Sequence, residues 1–164
     1  MKKMTKLILS CMFVLFLSIV SFPVSADVDD VDLSITTDAP GYGWIKDKVT
    51  IILTLKNNGA DDVTITFPTN QRFDFNIIKQ GKTSPVFWFA NKIIFEQIET
   101  GVTIPAGESI SWSYVWNQHG NMQFYQLLFP VFFGKYEIAG TVVVEEKVFT
   151  AIGQVSLSPF FEIF

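Results

Sequence analysis

Val49-Thr50-Ile51-Ile52-Leu53-Thr54-Leu55-Lys56-Asn57-Asn58-Gly59-Ala60-Asp61-Asp62-Val63-Thr64-Ile65-Thr66-Phe67 decides the fold class. Val49, Ile51, Leu53 and Leu55 recur at every second position, and Val63, Ile65 and Phe67 resume that spacing after a polar break. Period two is the signature of a half-buried strand, since successive strand side chains point to opposite faces. The break, Asn57 to Asp62, carries residues that tolerate positive φ, so the stretch predicts a hairpin.

The same alternation extends outward in both directions. Upstream are Leu33 and Ile35; downstream, Phe73, Phe75 and Ile77 share one face while Arg72, Asp74 and Asn76 share the other. Val86 to Phe89 is an aromatic strand, and Ile93 to Glu99 reads as one further short strand. Ile110, Trp112, Tyr114 and Trp116 alternate next, then Tyr136, Ile138, Gly140 and Val142, and finally Phe149 to Leu157. Ile104-Pro105-Ala106-Gly107 fits a type I turn with Pro second and Gly fourth. The best helical stretch, Met122 to Leu128, is short and runs into Pro130. The expected fold is therefore all-β, an antiparallel β-sandwich of about seven to nine strands.

Lys2, Lys3 and Lys6 precede an apolar run from Leu7 to Phe22 and then Val24-Ser25-Ala26, the pattern of a signal peptide cleaved after Ala26. Export to the extracellular space or cell envelope is the expectation. Anchoring by an uncleaved segment is the alternative, and a lipoprotein site at Cys11 fits less well because it leaves an apolar N-terminus. Residues 27–32 form an acidic linker, and residues 33–164 one domain with no transmembrane segment.

Removing the three lysines leaves 9 basic and 16 acidic residues, a formal charge of −7, which disfavours nucleic acid as a partner. The lone cysteine lies in the expected signal, so the domain has no disulfide and depends on packing. Seventeen phenylalanines and four tryptophans supply the apolar area.

Catalytic and metal-binding groups are sparse. His119 is the only histidine, in a polar loop with no cysteine or acid beside it, whereas a triad or zinc cage needs more ligands. Asp61-Asp62 and Glu145-Glu146 occupy turns, where neighbouring carboxylates diverge instead of facing each other across a glycosidase cleft. Residues 27–32 lack the Gly and distal Glu of an EF-hand. No cofactor, no metal and no catalytic residue is expected. Asp74 differs: from the polar face of an aromatic strand its carboxylate is placed to accept hydrogen bonds from a neighbouring loop. Residues 122–133 are aromatic and apolar where a loop is expected, making Phe124, Tyr125, Leu127, Leu128 and Phe129 candidate partner contacts; the competing reading folds them over an open end of the sandwich. The apolar tail from Ser158 to Phe164 either docks or adds a strand to a partner's sheet.

Asn57-Asn58-Gly59, then Val63 to Pro68, then Asn70-Gln71-Arg72-Phe73-Asp74-Phe75 come in an order that resembles the BsuPI family. Trp88, Phe95, Pro105-Ala106-Gly107-Glu108-Ser109, Trp116 and Gly134 to Gly140 continue the order, so the resemblance covers roughly residues 49 to 142. It implies an immunoglobulin-like sandwich and inhibition of a serine proteinase inside a bacterial cell. Asn58, Gly59, Gln71, Phe73, Asp74, Trp88, Gly107, Trp116 and Tyr136 are its motif residues, and they read as structural. The chain departs from the family in its export pattern and in its long apolar stretch between Trp116 and Gly134. A non-enzymatic binding module follows, of proteinase-inhibitor type. The alternative is a non-inhibitory adhesion or assembly module of the cell envelope.

Overall fold

The computed structural model describes residues 28–43, 47–122, 130–145 and 147–159. Within the described residues a 3-10 turn at Val28–Asp30 leads into ten strands: β1 (Val31–Thr37), β2 (Gly41–Gly43), β3 (Val49–Asn57), β4 (Val63–Phe67), β5 (Asp74–Lys79), β6 (Pro85–Trp88), β7 (Thr100–Ile104), β8 (Ser109–Trp116), β9 (Gly134–Val143) and β10 (Val148–Ser158). The short strands β2 and β7 escaped the period-two reading. The expected linker ends early: β1 begins at Val31, which is buried, so Val31 and Asp32 are already strand.

Three sheets result, ordered β1-β3-β8, β2-β10-β9-β5-β6 and β4-β7. Every pairing is antiparallel except β2 with β10. The two larger sheets pack face to face. Ile51 and Leu53 from β3 meet Phe75, Ile77 and Ile138 in one core cluster, capped by Trp116 and Tyr136. The small β4-β7 sheet closes a second cluster, in which Ile65, Phe67 and Ile104 join Leu55, Val142 and Phe149. Burial at every second residue of β3 and β9 is the direct consequence of strand pleating. Burial raises the Tyr136 hydroxyl to a pKa of about 12, and the hydroxyl donates to the Phe132 carbonyl.

The sheets approach closely where β1 crosses β9 and β10. A Cβ at Gly140 would lie 2.9 Å from Ile35 Cδ1, and one at Gly153 would lie 3.1 Å from the Ile35 carbonyl oxygen. A side chain at Gly153 would press on the Ile35 backbone, whereas one at Gly140 would meet the movable tips of Ile35 and Leu53, so close approach of the sheets favours glycine most at Gly153.

The predicted hairpin at 57–62 does not form. β3 pairs with β1 and β8, while β4 pairs with β7. The Asn57 side chain is fully buried and donates to the carbonyls of Asp61 (2.8 Å) and Ile104 (3.0 Å), while its Oδ1 accepts from Gly59 N–H (2.9 Å). Its own amide donates to the Glu108 carbonyl. These bonds steer the chain out of one sheet and into another. The neighbouring turn is also displaced by one residue: Glu108 N–H donates to the Pro105 carbonyl, and Gly107, third in that turn, has φ +73°. Positive φ at the third position is the type II signature, not type I.

Candidate functional site

The stretch from Phe89 to Glu99, expected in part as a strand, is instead an irregular loop joining β6 to β7. It begins with two turns, Asn91 N–H to the Trp88 carbonyl and Ile93 N–H to the Ala90 carbonyl, both 3.1 Å. Lys92 sits third in the second turn with φ +65°, a conformation that costs a non-glycine residue about 1 kcal/mol or more and persists only where its surroundings enforce it.

Here the surroundings are hydrogen bonds at both ends of the loop. At the start, Asp74 Oδ2 accepts from Trp88 Nε1 (2.7 Å), and Asp74 Oδ1 accepts from the Ala90 amide (3.1 Å) and its neighbour Phe75 (2.8 Å). Asn121 acts as a substitute strand beside β6: its Oδ1 accepts from Trp88 N–H (2.8 Å) and its Nδ2 donates to the Trp88 carbonyl (2.7 Å). Its own carbonyl takes Asn91 Nδ2 (2.7 Å). At the far end, Asn70 N–H donates to the Glu96 carbonyl and Asn70 Oδ1 accepts from Glu96 N–H, each at 3.1 Å. With the Ala90 and Glu96 amides taken by side chains and those of Asn91 and Ile93 by turns, an apolar run resembling a strand does not extend the ladder.

The loop presents isoleucines outward, Ile93 and Ile94 between the pins and Ile98 just past them. Ile94 is 94 % exposed, Ile93 45 % and Ile98 52 %. At the start of the loop Phe89 joins an aromatic cluster, stacked on Phe73 (4.8 Å between centroids) and Phe75 (5.5 Å) and edge-on to Tyr114 (5.3 Å). Pins at Ala90 and Glu96, with Phe89 anchored in the aromatic cluster, fix the loop's shape before any partner arrives. Replacing Asp74 by Ala should remove about 1–2 kcal/mol of stability. It should also speed amide exchange at Ala90 by roughly tenfold, while the β3 and β9 amides keep their relative protection.

The motif residues fall into three groups. Gln71, Phe73, Asp74 and Trp88 surround the loop, with Gln71 Nε2 donating to the Phe73 carbonyl. Asn58 and Gly59 meet the Gly107 turn through Asn57 and Glu108, and Asn58 Nδ2 donates to Asp32 Oδ2 (2.8 Å). Trp116 and Tyr136 pack edge to face at 6.3 Å. Sequence reading missed Asn121, and it missed Gln118, whose buried Nε2 donates to the carbonyls of Gly43 and Asp47. Phe124, Tyr125, Leu127, Leu128 and Phe129 lie outside the described residues, as do the expected signal, residues 1–26, and the apolar tail from Phe160; beside them Met122, Phe132 and Phe133 are exposed. Among the described residues no three acids, histidines or cysteines gather as metal ligands, and no helix is long and apolar enough to cross a membrane.

No curated protein matches the chain. Among solved structures, the CARDB domain of a Pyrococcus furiosus protein shares 17 % identity at a TM-score of 0.42, with 80 % of this chain and 96 % of that one covered. The sporulation control protein of Bacillus subtilis shares 11 % at 0.44, covering 79 % and 49 %. A β-glucosidase from Erythrobacter marinus shares 10 % at 0.45, covering 78 % of this chain, which spans only 15 % of the enzyme. Likenesses this remote carry no functional inference.

The family model described as "BsuPI: Intracellular proteinase inhibitor" matches residues 42–147. That description overturns the expectation of an exported, extracellular or cell-envelope protein, which rested on the composition of residues 1–26 alone. The match spans well over half of the chain and takes in every motif group above, the pinned loop included: the chain belongs to the BsuPI intracellular proteinase inhibitor family.

Proposed function

We propose that this chain is an immunoglobulin-like binding module that inhibits a serine proteinase by lodging the 89–99 loop in the enzyme's cleft. The observation that carries this reading is the doubly pinned loop with Ile94 exposed at its crest. A loop held in one conformation loses little entropy on docking, so a small apolar contact can bind tightly. A rigid scaffold presenting a loop is also the usual division of labour in binding proteins. An inhibitor is exposed to cleavage by its own target, and the hydrogen bonds on both flanks would keep a docked loop from relaxing into a substrate's geometry.

The test is a panel of serine proteinases of different specificity, each titrated with the purified chain while the chain's own integrity is followed. Stoichiometric inhibition with the chain intact is the expected outcome for at least one enzyme. Plain digestion, or full activity throughout at micromolar protein, would count against the reading.

A further inference from the structure

Arg72 is the only arginine in the sequence, and no carboxylate among the described residues pairs with it. Its guanidinium lies over the Phe67 ring, 4.6 Å from the centroid, and its Nη1 is buried without a hydrogen-bond partner. Two other buried side-chain atoms among the described residues lack partners, Asn76 Oδ1 and Thr100 Oγ1, but neither carries charge. The nearest acid in sequence, Asp74, is committed to the loop through Trp88, Ala90 and Phe75.

Arg72 and Asp74 line a cleft of about 160 Å³ together with Thr69, Gln71, Thr141 and Val143. Arg72 is only partly buried and its Nη1 is closed off from solvent, so a ligand in the cleft would meet the guanidinium through its Nε–Nη2 edge; held by stacking, that edge is preorganised for two parallel bonds to a planar anion. From this geometry we propose that the cleft is a carboxylate-binding site, with Arg72 as the anchor and the Thr69 and Thr141 hydroxyls at its rim. Asp74 disfavours multiply charged anions there, so the ligand is a single carboxylate, borne either by a small acid or by the end of a peptide. The site does not depend on the docking role of the 89–99 loop.

A sole arginine gives a single Nε–Hε resonance, so isotope-labelled protein can report on this site without ambiguity. Sodium acetate would be titrated at ionic strength held constant with sodium chloride, beside acetamide as the uncharged match. A second arm uses acetyl-Ala-Ala as the free acid and as the amide. Saturable movement of the Arg72 Nε–Hε signal and of the Thr69 and Thr141 amides is expected with the carboxylates only; in Arg72→Lys, which has no arginine signal, the two threonine amides should report binding weakened about tenfold or more. Tighter binding of the peptide acid than of acetate would assign the site to a chain terminus, and the reverse to a small acid. Equal movement with acetamide, or only the linear drift that chloride produces, would overturn the proposal. Should Arg72→Lys fail to fold, the wild-type titration decides the question by itself.

Discussion

Trp116→Ala is expected to lower the unfolding free energy by about 3–5 kcal/mol, the range for emptying a large aromatic from a closed core. Trp116 is fully buried at the end of β8, opposite Val49, with Phe87 and Tyr136 each 6.3 Å away between centroids. Its Nε1 donates to the His119 carbonyl at 2.8 Å, tying the strand end to the loop that follows. Both sheets contribute to its surroundings, so neither can move in alone to fill the space. Trp116→Phe separates the contributions: it keeps most of the ring but loses the bond to His119, and should cost about 1–2 kcal/mol more than the ring-volume change alone. Urea denaturation of the three proteins checks both values. A loss below about 1.5 kcal/mol for the alanine variant would mean that the core can collapse around the gap.

Much of this core was legible in the sequence because period two survives wherever one face is buried. β3, β8, β9 and β10 all sit where alternation put them. What failed were the places where side chains, not strands, take up backbone hydrogen bonds. Asn57 looks like an ordinary turn residue, yet its buried amide bonds Asp61, Ile104 and Gly59 and sends the chain to another sheet. Ile93-Ile94-Phe95 looks like a strand, and only the positions of Asn70, Asp74 and Asn121 reveal why it is a loop.

Asp74 was conspicuous as an acid between two core phenylalanines, and its bonds to Trp88 and Ala90 are of the kind that position suggests. Asn121 carried no such signal, since asparagine beside glycine in a polar loop is commonplace. The unpartnered state of Arg72 could not be read from sequence either, because Asp74 two residues away suggests a pair that the geometry does not make. The export pattern misled for a different reason: it is compositional and independent of the domain that follows, while the family description points to the cell interior.

The second large effect concerns the loop itself. Ile94 contributes almost nothing to folding, being 94 % exposed, so Ile94→Asp should leave the melting temperature unchanged. In a docked complex the same side chain would sit at the centre of the contact, where burying an unpaired carboxylate is costly and hot-spot losses reach about 2 kcal/mol or more. The decisive measurement is therefore the inhibition constant of wild type and Ile94→Asp against the proteinase that the wild-type chain inhibits best. The pinned-loop account predicts weakening by about a hundredfold with the fold intact; an unchanged constant would contradict it and place the contact elsewhere on the sandwich.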